Sequence, residues 1–330
     1  MDEKLKSPPK IDVYFVLLPG SLILDWAGPA EAIRIANQLL TRQGGVPRFE
    51  LHFICPSNAA ESSVGVMLSG LSPLPTALGD ISWIVLLGQV GSTIDVSHPD
   101  AQAALQWLRG LHLRVGKLEL LTVCAGTLLA AHARLLTGRR ATTHHHHLAE
   151  LKAMAPASDV VSNRVFVTDG PLHSSAGVTT GIDLFLHRIS EVCGPVLAAQ
   201  VAQSLVVALR RGPQDPELSP FLQYRNHLHP ALHRIQDAIG QQPQSDWSVQ
   251  SMADIAHTSP RHLARLFLEH LNIAPLQYLR RMRLCTAEAA LQSGMNVTRA
   301  AEMAGFSSDT QLRRAWHHFG MPGLPKNRAG

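Results

Sequence analysis

The sequence predicts an α/β domain followed by an all-α domain, and two observations along its 330 residues support this division. Up to about residue 209, apolar strand-like runs alternate with amphipathic helical segments, which is the pattern of a parallel sheet covered by helices. The segment RRGPQDPELSP (residues 210–220) then contains three prolines and one glycine, and only helical patterns follow it. We therefore predict domains at residues 1–209 and 226–330, joined by a linker at residues 210–225.

The first domain is predicted to be a sheet buried on both faces, because its strand candidates are nearly continuous apolar runs. These candidates cover residues 11–18, 49–55, 81–87, 118–123 and 165–168. Helical candidates cover residues 30–40, 101–111, 125–136, 181–191 and 195–209. The alternation predicts parallel strands joined by crossover helices.

The composition excludes several classes of protein. A hydrophobic content of 45% suits globular domains with more than one core. No run of 18 uncharged apolar residues occurs, and Asp12 and Pro19 interrupt the apolar stretch near the start, so we expect neither a membrane span nor a secretion signal. The cysteines are scattered without a CxxC pair, which disfavours a disulfide framework and suits a reducing cytoplasm. They are Cys55, Cys124, Cys193 and Cys285.

Positive charge is concentrated in the last third of the chain. Residues 1–220 contain 17 Lys and Arg against 18 Asp and Glu, whereas residues 221–330 contain 12 against 7. Eleven of those 12 basic residues are arginine. An arginine-rich domain behind a neutral one indicates that the second domain binds an anionic partner.

The second domain contains an internal repeat with a spacing of 48–49 residues. Each copy has a polar N-cap, a short helix centred on an alanine, a tight turn, and a second helix with apolar residues four apart. The first copy has Ser248, Ala253, Leu263 and Phe267 at these positions, and the second has Asn296, Ala301, Leu312 and Trp316. Gly305 supplies the turn of the second copy. This pattern is a helix-turn-helix that occurs twice.

Polar residues on the second helix of each copy predict contacts with DNA. Arginine is shaped for bidentate contact with guanine, Gln, Thr and Asp suit other base edges, and an alanine methyl suits thymine. Two such helices would enter successive major grooves on one face of double-stranded DNA. The alternative is a helical bundle with a solvated charged face. The predicted DNA-binding residues are Arg261, His262, Ala264, Arg265, Asp309, Thr310, Gln311, Arg313 and Arg314.

The segments SPRHLARLF (259–267), a linker helix at 275–292, and AGFSSDTQLRRAW (304–316) resemble the DNA-binding domain of AraC/XylS-type transcription regulators. The resemblance covers about 100 residues and implies the same DNA-contacting positions.

The first domain resembles the ThiJ/PfpI, or amidotransferase-like, fold, which is a flavodoxin-like parallel sheet sandwiched by helices. The matching segments are LLPGSLILDWAGPAEAI (17–33), ELLTVCAGTLLAAHARLLTGRRATTHH (119–145) and SSAGVTTGIDLFLHRI (174–189). Together with the second domain, these segments resemble the GlxA-like branch of the regulators. The resemblance places Cys124 on a strand-to-helix elbow, where a helix N-terminus lowers a thiol pKa, and places Asp25 opposite that cysteine.

The residues around Cys124 depart from the catalytic members of that fold. The amidotransferase pattern has a glycine where Thr122 stands and a His-x-Glu pair where His173 is followed by two serines, and the protease pattern has a histidine where Ala125 stands. A cysteine nucleophile needs a base within hydrogen-bond reach. We therefore predict no catalytic residue and a vestigial, ligand-sensing elbow, with turnover and a merely buried thiol as the alternatives.

Four consecutive histidines, His144–His147, raise the alternative of a metal site. Residues along a strand point alternately to opposite faces, so at most two of the four would share a side. The family that this segment resembles has a threonine-histidine-tryptophan sequence at this point. His144 matches the family histidine and His145 replaces the tryptophan, so the resemblance accounts for the run without a metal. We therefore predict no metal site and no cofactor. The candidate ligand pocket is Asp25, Trp26, Cys124, Ala125, His144 and His145, with Trp83 at its mouth.

These patterns predict a cytoplasmic, homodimeric transcription regulator whose first domain senses a small metabolite. By resemblance, the effector is a nitrogenous compound such as a quaternary amine or an amino acid. The alternative is a cysteine-dependent hydrolase or hydratase that uses Cys124 and carries an appended helical module.

Overall fold

The computed structural model describes residues 9–91, 94–207, 211–213, 217, 224–225, 227–292 and 294–321. The chain divides into two compact units, residues 1–217 and 218–330. Most of the predicted linker, and the last two residues of the helix predicted at 195–209, lie outside the described residues.

The first unit is built on a six-stranded sheet with one antiparallel edge. Its strands are β1 (Ile11–Val16), β2 (Phe49–Ile54), β5 (Ser82–Leu86), β6 (Leu118–Val123), β9 (Phe166–Asp169) and β10 (Leu172–Ser175). Two small two-stranded sheets lie outside it, β3 (Ala59–Glu61) with β4 (Met67–Ser69), and β7 (Arg140–Ala141) with β8 (Asp159–Val160). The order in the main sheet is β2-β1-β5-β6-β10-β9, and the first five strands are parallel. This is the flavodoxin-like order, and the predicted fold class is confirmed.

Helices accompany the main sheet, and the last two of them follow its last strand. They are α1 (Ile23–Arg42), α2 (Pro99–Arg109), α3 (Gly126–His132), α4 (Leu148–Met154), α5 (Thr179–Cys193) and α6 (Pro195–Ser204). Helices α1, α5 and α6 pack against one another, and α2 packs against α3. Phe185 of α5 stacks on Phe15 of β1 with 5.9 Å between ring centroids.

Several predicted helices differ from the observed ones at their ends, and in two of them a particular residue bears on the difference. Helix α1 starts at Ile23, seven residues before the predicted start, and contains Pro29, which cannot donate a hydrogen bond back to the carbonyl of Asp25. Helix α3 ends at His132, four residues before the predicted end, and Arg134 just beyond it is left-handed with φ of 62°. A left-handed residue cannot continue a right-handed helix.

The second unit has two hydrophobic cores joined by one long helix. Its described helices are α7 (Pro230–Gln241), α8 (Val249–Ile255), α9 (Pro260–Leu271), α10 (Pro275–Gln292), α11 (Val297–Met303) and α12 (Asp309–His318). Helix α10 occupies the segment predicted as the linker helix. Its Tyr278 and Met282 belong to the core of α7–α9, whereas its Leu284 and Ala287 belong to the core of α11 and α12.

Among the helices formed by described residues, none combines the length and the apolar character that crossing a lipid bilayer requires.

Candidate functional site

Cys124 lies on a tight turn between β6 and α3, at the carboxyl end of the sheet. Its φ is 57°, a left-handed conformation uncommon for a residue with a side chain. The backbone N–H of Cys124 donates to the Ser175 carbonyl at 3.1 Å, and its carbonyl accepts from the Thr143 hydroxyl at 2.8 Å. The turn is therefore held from both sides, and the residue is 4% exposed.

Two glycines allow the chain to close around this turn. A Cβ on Gly177, whose φ is +98°, would lie 2.3 Å from the Cβ of Cys124. A Cβ on Gly88 would lie 2.7 Å from Oδ2 of Asp25 and 3.1 Å from Sγ of Cys124. Both separations fall below or near the closest approach that carbon atoms tolerate, so the elbow is packed to contact. Gly88 also separates the thiol from the Asp25 carboxyl.

Asp25 is fully buried and is held by backbone groups. Its Oδ1 accepts from the N–H of Val178 at 2.9 Å, and its Oδ2 accepts from the N–H of Gly88 at 3.0 Å. Burial raises the pKa of this carboxyl from 3.8 to about 6, and the two hydrogen bonds oppose that rise. Val178 adopts φ of 53°, which is strained for a β-branched residue, so the local backbone stores strain at this site.

The thiol of Cys124 is not activated. Burial raises its pKa to about 12, and the neighbouring Asp25 carboxylate raises the pKa in the same direction. The expectation that the N-terminus of α3 would lower this pKa is therefore wrong, because desolvation outweighs the Ala125 N–H that favours the thiolate. Among the hydrogen bonds between described residues, none joins Sγ of Cys124 to a histidine.

His173, at the position where a catalytic histidine would stand, belongs to a different cluster. Its Nε2 lies 3.8 Å from Oε2 of Glu119, and Glu119 is ion-paired with Arg188. Burial lowers the pKa of His173 to about 3, and the Arg188 charge lowers it further. Trp83 belongs to this same region: the Arg188 guanidinium lies 5.0 Å from its ring centre.

The placement of Trp83 at the pocket mouth is therefore wrong. It is 1% exposed and lies near the start of β5, whereas Gly88 follows the end of that strand. Trp26 is half-buried and contacts Phe53 edge-to-face, and its indole N–H is buried without a hydrogen-bond partner among the described residues. Ala125 is buried in the elbow itself.

The histidine run does not form a strand. His145–His147 form one turn of 3₁₀ helix that leads into α4, and the His144 side chain caps this turn by accepting from the N–H of His146. The expectation of alternating faces is therefore wrong, and the rings of His144 and His145 lie 4.1 Å apart. Burial lowers the pKa of His144 to about 4. His145 Nδ1 lies 2.7 Å from Oε1 of Glu217, a contact that sequence patterns did not predict.

The run is continuous with the elbow, since Thr143 bonds to Cys124 and directly precedes His144. The structure thus brings together Asp25, Cys124, Ala125, His144 and His145 at the carboxyl edge of the sheet. It adds Gly88, Gly177, Val178, Thr143 and Glu217, which were not predicted.

The two helix-turn-helix copies share their turn geometry. In the first, the N–H of His257 donates to the Asp254 carbonyl and the N–H of Thr258 donates to the Ala253 carbonyl. The second repeats both bonds 48 residues later, from Gly305 to Glu302 and from Phe306 to Ala301. His257 and Gly305 are both left-handed, with φ of 53° and 78°. The second turn then has one additional residue, Ser307, before the next N-cap.

The second helices of the two copies, α9 and α12, are called here the reading helices. Ser259 caps α9 and Ser308 caps α12, each accepting from a backbone N–H three residues on. Leu263 and Phe267 are buried in the first core, and Leu312 and Trp316 in the second. The buried stripe leaves the opposite side of each reading helix exposed to solvent.

Most predicted DNA-binding residues are accessible on the reading helices. Arg261, Arg265, Thr310, Gln311 and Arg314 are exposed, and His262, Ala264, Asp309 and Arg313 are half-buried. Arg265 and Arg314 occupy equivalent positions, and neither is ion-paired with another described residue. Their contacts with DNA stay predictions.

Several of these side chains already have polar partners. Arg265 Nη2 lies 3.0 Å from Nδ1 of His262. Oε1 of Gln311 accepts from the N–H of Ser307 at 2.8 Å, and Oδ2 of Asp309 accepts from the Thr298 hydroxyl at 3.0 Å. Beside Gln311, a cavity of about 390 Å³ is lined by Arg280, Arg283 and Arg314, among others.

Comparisons with known proteins match both domains of the chain. Residues 252–322 match a helix-turn-helix domain family and residues 78–191 match the DJ-1/PfpI family. The HTH-type transcriptional regulator CdhR of Pseudomonas aeruginosa is 28% identical over 313 residues, covering 92% of this chain and 88% of the relative. The HTH-type transcriptional regulator GlxA of Rhizobium meliloti is 27% identical over 320 residues, covering 96% of this chain and 95% of the relative.

A solved structure supports the fold. The crystal structure of a ThiJ/PfpI family protein from Pseudomonas syringae matches with a TM-score of 0.52 at 18% identity, covering 72% of this chain and 90% of that chain. The elbow and the repeated helix-turn-helix thus correspond to two recognised domains. The chain therefore combines a segment that matches the DJ-1/PfpI family with a segment that matches a helix-turn-helix domain family, and over most of its length it is similar to HTH-type transcriptional regulators.

Proposed function

We propose that this chain is a sequence-specific transcriptional regulator that binds double-stranded DNA through the two reading helices. The observation that carries the proposal is the repeat of one turn geometry, with an exposed arginine at the same position of each copy, Arg265 and Arg314. The relatives CdhR and GlxA are transcriptional regulators of the HTH type. Bidentate guanine contact by each arginine would give sequence preference.

The remaining predicted residues divide by chemistry. Arg261 and Arg313 suit phosphate or guanine, and His262, Asp309, Thr310 and Gln311 suit other polar groups of DNA, while Ala264 offers only a methyl. The capped N-termini of both reading helices are also favourable positions for phosphate oxygens.

The elbow is the proposed effector site. Asp25 and Glu217 bring two carboxyl groups to the surroundings of Cys124, and the half-buried Trp26 follows Asp25 on α1. A small nitrogenous compound with positive charge suits carboxylates and an aromatic face. The effector acts only if it binds one arrangement of the regulator better, and a tenfold preference corresponds to about 1.4 kcal/mol. The proposed regulator acts in the cytoplasm as a homodimer.

A cysteine-dependent hydratase or hydrolase is the second candidate, and one observation favours it. The Asp25 carboxyl lies near enough to raise the pKa of the Cys124 thiol, and its own pKa of about 6 suits proton transfer near neutral pH. The thiol itself disfavours this candidate, since a pKa of about 12 leaves about one thiol in 10⁵ ionised at pH 7. Cys124→Ala separates the two: a regulator retains DNA binding, whereas an enzyme loses all turnover.

The experiment that tests the proposed function is selection of genomic DNA fragments by the purified full chain at near-physiological salt, followed by sequencing. We expect enrichment of sites with two short elements about 10.5 base pairs apart, one turn of DNA. Genes beside those sites would indicate the effector. If no fragment is enriched with or without added metabolite extract, the proposal is wrong.

A further inference from the structure

Three imidazoles converge at the rim of the elbow. The rings of His144 and His145 lie 4.1 Å apart, those of His145 and His146 lie 4.3 Å apart, and those of His144 and His146 lie 4.9 Å apart. One ring nitrogen from each of the three lies within 4.8 Å of the other two. His144 and His145 are half-buried and His146 is exposed, so the group opens to solvent on one side.

The backbone explains this convergence. A 3₁₀ turn advances only about 2.0 Å per residue, so consecutive side chains start from one short segment and their rings stay within reach of one another. His144 precedes the turn, and its Nδ1 faces the N–H of His146 at 3.4 Å. Its Nε2 is therefore the nitrogen that remains available to a ligand.

A buried carboxylate orients the second imidazole. Oε1 of Glu217 lies 2.7 Å from Nδ1 of His145 and accepts from the backbone N–H of His145 at 3.1 Å. The Glu217 side chain is only 6% exposed. A carboxylate that holds the Nδ1 proton of a histidine leaves Nε2 with a free lone pair and makes it a stronger ligand, as around many protein-bound metals.

We propose that His144, His145 and His146 together bind one divalent transition-metal cation of the Zn²⁺ class, with Glu217 as the positioning residue. Imidazole nitrogens are suitable ligands for Zn²⁺, Ni²⁺ and Cu²⁺ and poor ones for Mg²⁺. Tetrahedral coordination with bonds of 2.0–2.1 Å needs nitrogens about 3.4 Å apart, which side-chain rotation reaches from the present separations. Three protein ligands leave the fourth position open to water or another small ligand.

A second group of metal-ligating side chains is less suited. Asp12, Glu50 and His52 also lie within reach of one another. Asp12 already bonds to His52, with Oδ1 and Nε2 2.8 Å apart, and Glu50 is ion-paired with Lys10. A cation there would have to displace these partners, whereas the Glu217 contact of His145 is retained when metal binds.

The test is titration of the full chain, purified without a polyhistidine tag, with Zn²⁺ in competition with a chromophoric chelator. We expect one tightly bound equivalent, and no effect of Mg²⁺ on the titration. His145→Asn combined with His146→Asn should lower the affinity for this Zn²⁺ at least 100-fold. The control, His317→Asn combined with His318→Asn, removes two adjacent exposed histidines from the end of α12 and should leave the Zn²⁺ affinity unchanged.

Two further readouts separate ligation from folding. Co²⁺ in place of Zn²⁺ should give visible absorption bands of a tetrahedral site, and these bands should be lost in the His145/His146 variant while its circular dichroism is retained. Glu217→Gln should keep the stoichiometry and weaken binding by about 10- to 100-fold, because it removes only the orienting charge. Unchanged Zn²⁺ affinity in the His145/His146 variant, or equal losses in the control, would overturn the proposal. Neither result bears on DNA binding, which this titration does not involve.

Discussion

The elbow and the reading helices hold their functional side chains in opposite ways. At the elbow, Asp25 is inaccessible, receives two backbone hydrogen bonds, and packs with Cys124 against two glycines. On the reading helices, Arg265 and Arg314 extend into solvent from stripes whose buried side is apolar. The elbow is thus constrained by packing and desolvation, whereas the reading helices depend on surface charge. Substitutions at the elbow should change stability, and those on the reading helices should change DNA affinity.

The largest effect should come from Gly177→Ala. The substitution places a Cβ 2.3 Å from that of Cys124 at a φ of +98°, so overpacking adds to backbone strain. We expect a loss of about 3–5 kcal/mol in the stability of the first unit, measured by calorimetric unfolding. Gly116→Ala is the matched control, because its φ is +71° but nothing lies within 4 Å. It should cost only about 1–2 kcal/mol, the strain alone. Equal losses would show that the elbow is not closely packed.

The next effect concerns pH. Below about pH 4, the Asp25 carboxyl is protonated in both the folded and the unfolded chain. As pH rises to about 6, the unfolded chain releases this proton first, since the folded pKa is about 6 and the ordinary value is 3.8. Asp25 therefore lowers the free energy of unfolding by about 3 kcal/mol across that window, at about 1.4 kcal/mol per pK unit.

Denaturant unfolding of the wild type and of Asp25→Asn at pH 4, 5, 6 and 7 measures this contribution. The variant cannot titrate at this position, so the difference in stability between the two chains should change in favour of the variant as pH rises. A difference that stays constant with pH would show that Asp25 titrates normally in the folded chain.

On the reading helices, Arg265→Ala and Arg314→Ala should each weaken binding to a selected DNA site by about 1–3 kcal/mol, roughly 5- to 150-fold. Thermal stability should not change, since both side chains are exposed. The matched control is Arg299→Ala, which removes the same charge from the exposed face of α11, outside the reading helices. It should reduce the salt dependence of binding without relaxing sequence preference. Binding unaffected by both reading-helix substitutions would refute the assignment.

The smallest effect should be a gain. Val178 is 37% exposed and has φ of 53°, so glycine at this position relieves strain and sacrifices little burial. Because glycine also increases the entropy of the unfolded chain, Val178→Gly should stabilise the first unit by only about 1 kcal/mol. A loss of stability would mean that packing of the Val178 side chain stabilises the first unit by more than the strained Val178 backbone destabilises it.

Elements with strong local patterns could be predicted, and those formed by distant partners could not. Strand β6 was predicted at its observed bounds because its apolar run is continuous, and α10 was predicted from the family pattern. Strand β10 was missed because its His173, Ser174 and Ser175 are polar. They are nevertheless buried, and Ser174 accepts a hydrogen bond from the backbone of Thr142. Polar residues satisfied in this way give no apolar signal.

The same distinction applies to the candidate sites. The reading helices follow from apolar spacing and caps within single segments, so their exposed faces could be predicted. At the elbow, Cys124 and Asp25 were identified by resemblance, but the high thiol pKa follows from burial that only the folded chain creates. The contact between Glu217 and His145 joins positions 72 residues apart, and no local pattern carries that information.

Helix α10 has a consequence for how binding sites can evolve. It belongs to both cores of the second unit, so its length and helical phase link one reading helix to the other. Inserting a single residue between Met282 and Leu284 would rotate everything beyond it by about 100° and advance it by about 1.5 Å. In the proposed complex with DNA, the two reading helices would then no longer lie on the same side of a straight duplex. The proposed DNA binding thus implies that the number of residues in α10 sets the spacing of the two operator elements, and that insertions there are tolerated far less than substitutions.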